Sequence, residues 1–308
     1  MSDETASTPT RCGFVALIGV PNAGKSTLLN ALVGAKVSIV SRKVQTTRTQ
    51  VRGIAMASAT QIVFVDTPGI FTPKRRLEKA MVTSAWGGAA DADIVGLLVD
   101  VTRADEDGQE ALLTQLAEVR QPKFLILNKI DLIAHEKLLA LADSLNKRIP
   151  FEATFMVSAL RGHGVPRILE WLADKLPTGP WLYPEDEISD APLRFLAAEI
   201  TREKMFERLH DELPYRSTVE TDKWTVMKNG DVRIDQTIYV ERESQRKIVL
   251  GEGGKTIKSI GSAARKDIGE AAEAKVHLFL FVKVRENWTD DPERYREMGL
   301  EFPRENKK

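Results

Sequence analysis

Cysteine is nearly absent from this chain of 308 residues: Cys12 is the only one, which excludes an intrachain disulfide and a thiolate-rich metal site. Histidine is almost as scarce. His135, His163, His210 and His277 are scattered without ligand spacing, so a metal-dependent hydrolase is not supported. Neither sign of charge dominates, with 44 Lys+Arg against 44 Asp+Glu, which excludes a uniformly basic nucleic-acid binder and leaves room only for a local basic patch. Long apolar runs are missing too. Ile94–Val99 spans six residues, where a membrane helix needs ~20. The polar start MSDETASTPT has no apolar stretch of the signal-peptide kind. A soluble cytoplasmic protein is expected, and a prior of ~150 residues per domain suggests two domains.

What is present is an alternation of short apolar runs and helical patterns. Phe14–Val20, Gln61–Asp66, Ile94–Asp100, Lys123–Asn128 and Phe155–Ser158 are near-continuous apolar strands, the pattern of a parallel sheet buried on both faces. Gln109–Val119, Glu136–Arg148 and Val165–Leu176 have helical length and spacing. The fold class expected is a doubly wound α/β domain over 11–178, after a disordered tail at 1–10. The proline-rich stretch from Pro177 predicts a linker at 179–190. Beyond it the order changes. A helix over Leu193–Leu209, strands Ser217–Val226 and Arg233–Arg242 about the Asn229-Gly230 turn, two short helices around Gly261 and a strand at Val276–Val284 make an α+β module over 191–286. A C-terminal helix or tail follows at 287–308.

Gly19-Val20-Pro21-Asn22-Ala23-Gly24-Lys25-Ser26 matches G-x-x-x-x-G-K-[ST] between a strand and a helix. Backbone N–H groups of such a loop curl around phosphate oxygens, and the helix N-terminus adds positive potential. Lys25 would reach the β- and γ-phosphates, and the Ser26 hydroxyl would ligate Mg²⁺. Asp66-Thr67-Pro68-Gly69 ends the next strand, with Asp66 placed for the Mg²⁺ shell and Gly69 for a backbone N–H to the γ-phosphate. Between them, Ser41–Gln50 holds Thr46 and Thr47; one hydroxyl, Thr47 by preference, would complete the Mg²⁺ shell only when a γ-phosphate is present. Lys25, Thr47 and Gly69 are the groups expected to act on the reacting phosphate.

Asn128-Lys129-Ile130-Asp131 and Ser158-Ala159-Leu160 each follow a strand. The Asp131 carboxylate can accept both N1–H and the amino group of guanine, which adenine cannot offer. Asn128 would meet the N7 side, the Lys129 stem the ring face and the Ala159 N–H the O6 atom. Motif order along one sheet edge makes GTP (and GDP) the nucleotide, with ATP the disfavoured alternative.

In the second module Gly251-Glu252-Gly253-Gly254 is a G-x-x-G joining the strand-like Lys247–Leu250 to a helix from Lys255. This is the setting of a KH loop, which clamps an RNA backbone. Residues 181–308 carry 23 basic and 26 acidic residues, yet 242–266 hold seven Lys/Arg against Glu243 and Glu252. Lys255, Lys258, Arg265 and Lys266 are the basic candidates for RNA contact beside the loop. Trp171, Trp181, Trp224 and Trp288 are expected in the core or at boundaries.

From GFVALIGVPNAGKSTLLNALVG through VSIVSRKVQTTR, DTPGI, NKID and SAL to LPYRSTVE, VERESQRKIVLGEGGKTIKSIGSAARKDI and VHLFLFVKV, nearly the whole chain resembles the Era-type bacterial GTPases. The resemblance implies a GTPase domain and a type II KH domain that binds 16S rRNA near its 3′ end. It also implies a role in 30S subunit maturation, a monomer, and a pool peripheral to the inner membrane. The alternative is a GTPase acting on another RNA or in cell-cycle or membrane-linked signalling. Ile70 stands where Ras-like GTPases place a water-orienting glutamine, so intrinsic hydrolysis is expected to be slow. Asn22 fits the pattern of relatives that hold K⁺ beside the phosphates. Gly253 departs from the usual charged or polar choice within the G-x-x-G.

Overall fold

The computed structural model describes residues 9–41, 43, 46–104, 108–209, 213–286, 288 and 291–303. Most of the expected N-terminal tail, His210 and parts of the expected C-terminal tail lie outside the described residues. The chain divides into two units: 1–37, 49–73 and 81–190 form the first, and 38–48, 74–80 and 191–308 the second.

The first unit is an α/β layer structure. Its strands are β1 (Arg11–Ile18), β2 (Val51–Ala57), β3 (Thr60–Asp66), β4 (Ile94–Asp100), β5 (Lys123–Asn128) and β6 (Ala153–Val157). Its helices are α1 (Lys25–Val33), α2 (Arg76–Asp91, which belongs to this unit from Met81 on), α3 (Gln109–Ala117), α4 (His135–Arg148) and α5 (Val165–Lys175). The sheet order is β2-β3-β1-β4-β5-β6, with only β2 antiparallel. β3, β4 and β5 are buried along their whole length, as continuous apolar runs require when helices cover both faces. Phe124, Phe155 and Trp171 meet at ring centroid distances of 5.3–6.0 Å. The registers pair Leu17 with Asp66, Asp100 with Asn128, and Asn128 with Val157. Every motif residue at a strand end therefore arrives at one sheet edge, and the strand order reverses at β1, where ligands bind in such sheets.

Two features of this unit depart from the sequence expectation. β2, with its Arg, Gly and Met, lacks a clean alternation and went unread as a strand; seven register pairs with β3 create it. Residues 179–190 are not a free linker. Trp181 Nε1 donates to Ala59 O at 3.1 Å, and Gln61, fully buried, accepts from Leu182 N and Tyr183 N at 2.8 and 3.0 Å and donates to Tyr183 O at 2.8 Å. Ile54 N donates to Ile188 O at 2.9 Å. The buried Gln61 amide must be satisfied, and the strap satisfies it.

The second unit carries α6 (Leu193–Arg208), β7 (Ser217–Val226), β8 (Val232–Val240), α7 (Glu243–Leu250), α8 (Lys255–Ala271), β9 (Val276–Val284) and α9 (Pro292–Glu297). β7 and β8 are antiparallel, β8 and β9 parallel, in the order β7-β8-β9. Ile238, Val240, Val249 and Ile260 form one core cluster, and Ile200, Ile234, Ala264 and Ile268 another. Lys247–Leu250 is helical, not strand-like: Gln245 Oε1 accepts from Glu241 N and Arg242 N at 2.8 and 3.2 Å, starting α7 despite its branched end. The break between the two helices falls at Gly251–Gly254 instead of Gly261. Gly261 lies inside α8, where an added Cβ would come within 3.3 Å of Leu280 Cδ1, so it serves helix–strand packing and not a helix end.

Candidate functional site

The phosphate loop leaves β1 after Ile18 and returns as α1 at Lys25. Gly24 has φ 100°, and a Cβ there would lie 2.4 Å from Asn128 Nδ2, so only glycine lets the two loops close. Asn22 also adopts a left-handed backbone, φ 63°, without glycine's freedom. Lys25 is buried, and its Nζ donates to Gly19 O at 3.0 Å and Val20 O at 3.1 Å. Burial pushes its pKa down to about 8, only partly offset by the Asp66 charge.

Ser26 Oγ donates to Asp66 Oδ2 at 2.8 Å, and the Asp66 carboxylate is fully buried. A hydroxyl and a carboxylate at the foot of a phosphate loop are an all-oxygen set suited to Mg²⁺. The residues present thus fit the metal. Thr67 Oγ1 donates to Leu17 O at 2.8 Å, and Ile70 N to Gly19 O at 3.1 Å. Together with Pro68 and Gly69, both buried, this laces Asp66–Ile70 onto the loop. The Ile70 side chain belongs to the hydrophobic core and cannot orient a water.

Thr47 is buried, and Thr46 Oγ1 donates to Lys43 O at 2.8 Å. Both threonines lie in the segment 38–48, which groups with the second unit.

Asn128 Nδ2 donates to Ala23 O at 2.9 Å, and its Oδ1 accepts from Ala159 N at 3.0 Å. Asn128 thus braces the phosphate loop to the Ser158–Leu160 loop, with the Ala159 N–H donating to its side chain. A buried amide between two loops is satisfied by both. Lys129, left-handed at φ 67°, reaches back so that Nζ donates to Asn22 O at 2.9 Å. Ile130 packs against the core, and Ser158 is buried, while Leu160 is exposed. The Asp131 carboxyl is held below the ordinary carboxylate range, first by the Ser158 hydroxyl, then by its own backbone N–H and the Arg161 charge. Arg161 Nε lies 3.2 Å from Asp131 Oδ2.

Sequence reasoning missed Asp100, which is 3% exposed and receives Lys129 Nζ at 2.5 Å. The signal was there: Asp100 ends IVGLLVD as Asp66 ends QIVFVD. It also missed Ile248 on α7, 57% exposed one turn before Gly251.

In the second unit Gly251, Gly253 and Gly254 have φ 71°, 58° and 77°. A third left-handed position explains the extra glycine of this loop, since other residues are penalised there. Glu252 is exposed between them. Lys255, Lys258, Arg265 and Lys266 are all exposed on α8. At 100° per residue they fall within about 100° of one another around the helix. They do not form one cluster: Lys255 and Lys258 flank the loop, and Arg265 lies about 15 Å beyond Lys255 along the axis. Arg265 and Lys266 line an open hollow of about 740 Å³ with Lys275 and His277, together with Glu270 and Glu273.

A phosphate loop, an acidic strand end and an Asn-Lys-x-Asp loop tied together at one sheet edge define a P-loop GTPase unit. The αββααβ order with a glycine-rich loop between α7 and α8 defines a KH module joined to it. A family of 50S ribosome-binding GTPases matches residues 14–129, and a KH-domain family matches 212–289. GTPase Era of Afipia carboxidovorans is 66% identical over 305 residues, covering 99% of each chain. That of Mesorhizobium japonicum is 67% identical over 301 residues, covering 97% of each. Two crystal structures superpose with TM-score 0.89 at 36% identity over 94% of this chain and 99% of theirs. One is an Aquifex aeolicus Era variant bound to GDP·AlF4⁻; the other is Era with MgGDPNP and nucleotides 1506–1542 of 16S ribosomal RNA. The chain belongs to the Era GTPase family. Among the described residues no helix is long and apolar enough to cross a membrane, and no cluster of His, Cys, Asp and Glu forms a metal site.

Proposed function

We propose that this protein binds GTP with Mg²⁺, hydrolyses it, and through its KH module binds 16S rRNA near the 3′ end during assembly of the 30S subunit. The observation that carries the nucleotide reading is the bracing of Asn128 and Lys129 onto Ala23 and Asn22, which joins the base loop to the phosphate loop. Lys25 and the Gly69 N–H stabilise the γ-phosphate, Ser26 and Asp66 hold Mg²⁺, and Thr47 joins that shell in the GTP state. Asp131 accepts guanine's two N–H donors, while Asn128, Ile130 and the Ser158–Leu160 loop shape the pocket. K⁺ beside Asn22 would add positive charge next to the phosphates, at a site where Ile70 offers no side chain to orient the attacking water.

The RNA reading is supported by the left-handed glycine loop with Lys255 and Lys258 beside it, and by the RNA-bound relative. Arg265 and Lys266 extend the positive face, and exposed Ile248 offers apolar surface to a base. A monomer in the cytoplasm, with a peripheral inner-membrane pool, belongs to the same reading by resemblance. Crosslinking the protein to cellular RNA and sequencing the bound fragments tests it. Fragments should concentrate at the 3′ end of 16S rRNA. Fragments from other RNAs would favour a GTPase acting elsewhere.

A further inference from the structure

Asp100 is a buried carboxylate with no part in binding phosphate, Mg²⁺ or the base edge as described above. It sits at the last position of β4, in register with Asn128 on β5, and Val101 N donates to Asn128 O at 3.1 Å. Its Oδ1 accepts from Thr102 N at 3.0 Å and Thr102 Oγ1 at 2.7 Å. Its Oδ2 accepts from Lys129 Nζ at 2.5 Å. Both carboxylate oxygens are thus committed, and the Asx turn onto Thr102 fixes the carboxylate plane.

The consequence falls on Lys129. Its ammonium has three donors; one goes to Asp100 and one to Asn22 O at 2.9 Å. The Lys129 backbone is left-handed at φ 67°. That turns the side chain from the base loop back towards the phosphate loop, so the stem spans the ground between them. An unbound lysine would sample many rotamers, because its four-carbon stem is flexible. Here two of the three donors are fixed by acceptors of the protein itself, which restricts the rotamers, and ordering supplied by the protein is not charged to binding.

We propose that Asp100 is a positioning residue for nucleotide binding, acting through Lys129, whose stem it holds flat against the face of the bound guanine. The inference rests on reading this site as a guanine-nucleotide pocket. Asp100 touches neither phosphate nor base and reads no base edge, so its effect is the same for GDP and GTP. A buried ion pair is a poor source of net stability. Lys129 is about a third exposed, so water can solvate its ammonium once the Asp100 charge is gone, and Asp100→Asn should change affinity more than folding.

Asp100→Asn keeps the shape and the Thr102 turn and removes the charge. With a fluorescent guanosine diphosphate analogue as probe, the full-length variant should bind about tenfold more weakly than the native protein, mainly through faster release. Thr102→Val, which removes one of the two bonds from Thr102 to the carboxylate and leaves Asp100 in place, should weaken binding in the same direction by a smaller factor. The deciding measurement is the double-mutant cycle with Lys129→Met. In the Lys129→Met background, Asp100→Asn should change affinity by less than about twofold, whereas a merely structural role would persist undiminished there. Native affinity in Asp100→Asn, or an equal loss in both backgrounds, would overturn the proposal. A native protein with no affinity for the probe would overturn the nucleotide reading itself, and the proposal with it.

Discussion

Ser26 and Asp66, forty residues apart, share a hydrogen bond of 2.8 Å at the point where the phosphate loop meets the end of β3. The hydroxyl and the carboxylate are adjacent oxygen groups that would hold Mg²⁺. In Ser26→Ala the methyl group cannot. GDP affinity measured with Mg²⁺ should fall by on the order of tenfold or more, while affinity measured in EDTA stays near the native value. An equal loss in both conditions would remove Ser26 from the metal shell.

Lys25 gives a pH dependence with a definite sign. Burial disfavours its ammonium and pushes its pKa down to about 8. Phosphate binding needs the charged form. Below about 8 that form is already present; above it, binding must take up a proton. Affinity for GDP should therefore fall as pH rises through about 8, by up to tenfold per unit. Calorimetry in buffers of different ionisation enthalpy should register proton uptake near pH 9 and little near pH 7. No uptake at either pH would contradict the shift.

Asp131 sets the base. In Asp131→Asn one acceptor becomes an NH₂ donor facing guanine's amino group. A buried donor facing a donor costs about 1–3 kcal/mol, so GTP affinity should drop roughly ten- to several-hundredfold. Xanthine has a carbonyl at that position and restores the pairing. The variant should prefer XTP, and the native protein GTP, in competition against a fluorescent analogue. A variant that still favours GTP would show that Asp131 does not read the base.

Gly254 tests the KH loop at a position with room for a side chain but a backbone conformation that strains any residue other than glycine. A Cβ there would meet only Lys258 Cε, at 3.9 Å, although φ is 77°. Gly254→Asp places a negative charge where phosphates would lie. RNA affinity should fall by about tenfold or more and show a weaker salt dependence, with GTP affinity unchanged. Loss of neither would remove the RNA reading; loss of both would indicate misfolding.

Asn22 and Ile70 together predict a cation effect. GTP hydrolysis should run faster in K⁺ than in Na⁺ at equal ionic strength, and Asn22→Ala should abolish the difference while nucleotide still binds. Identical native rates in the two salts would contradict the role of K⁺.

What could be read from the amino-acid order was the chemistry that lies close along the chain. Gly19–Ser26 must bend between a strand and a helix, and glycine, lysine and serine at those spacings have few other uses. Continuous apolar runs announced β3, β4 and β5 because burial on both faces removes polar positions. Local reading failed where local signals compete. Lys247–Leu250 ends in branched residues that suit a strand, and the Gln245 cap decided for helix. Gly261 suits a helix end, yet close approach to Leu280 placed it inside α8.

Tertiary structure alone decided the partners separated by long stretches of chain. Asp100 meets Lys129 across 29 residues, Asn128 meets Ala23 across 105, and Gln61 meets Tyr183 across 122. No residue type at either end announces such a pair, because a carboxylate or an amide is also an ordinary surface group. Only the strand registers, which bring Asp66, Asp100 and Asn128 to one edge of the sheet, bury these groups and oblige them to find one another.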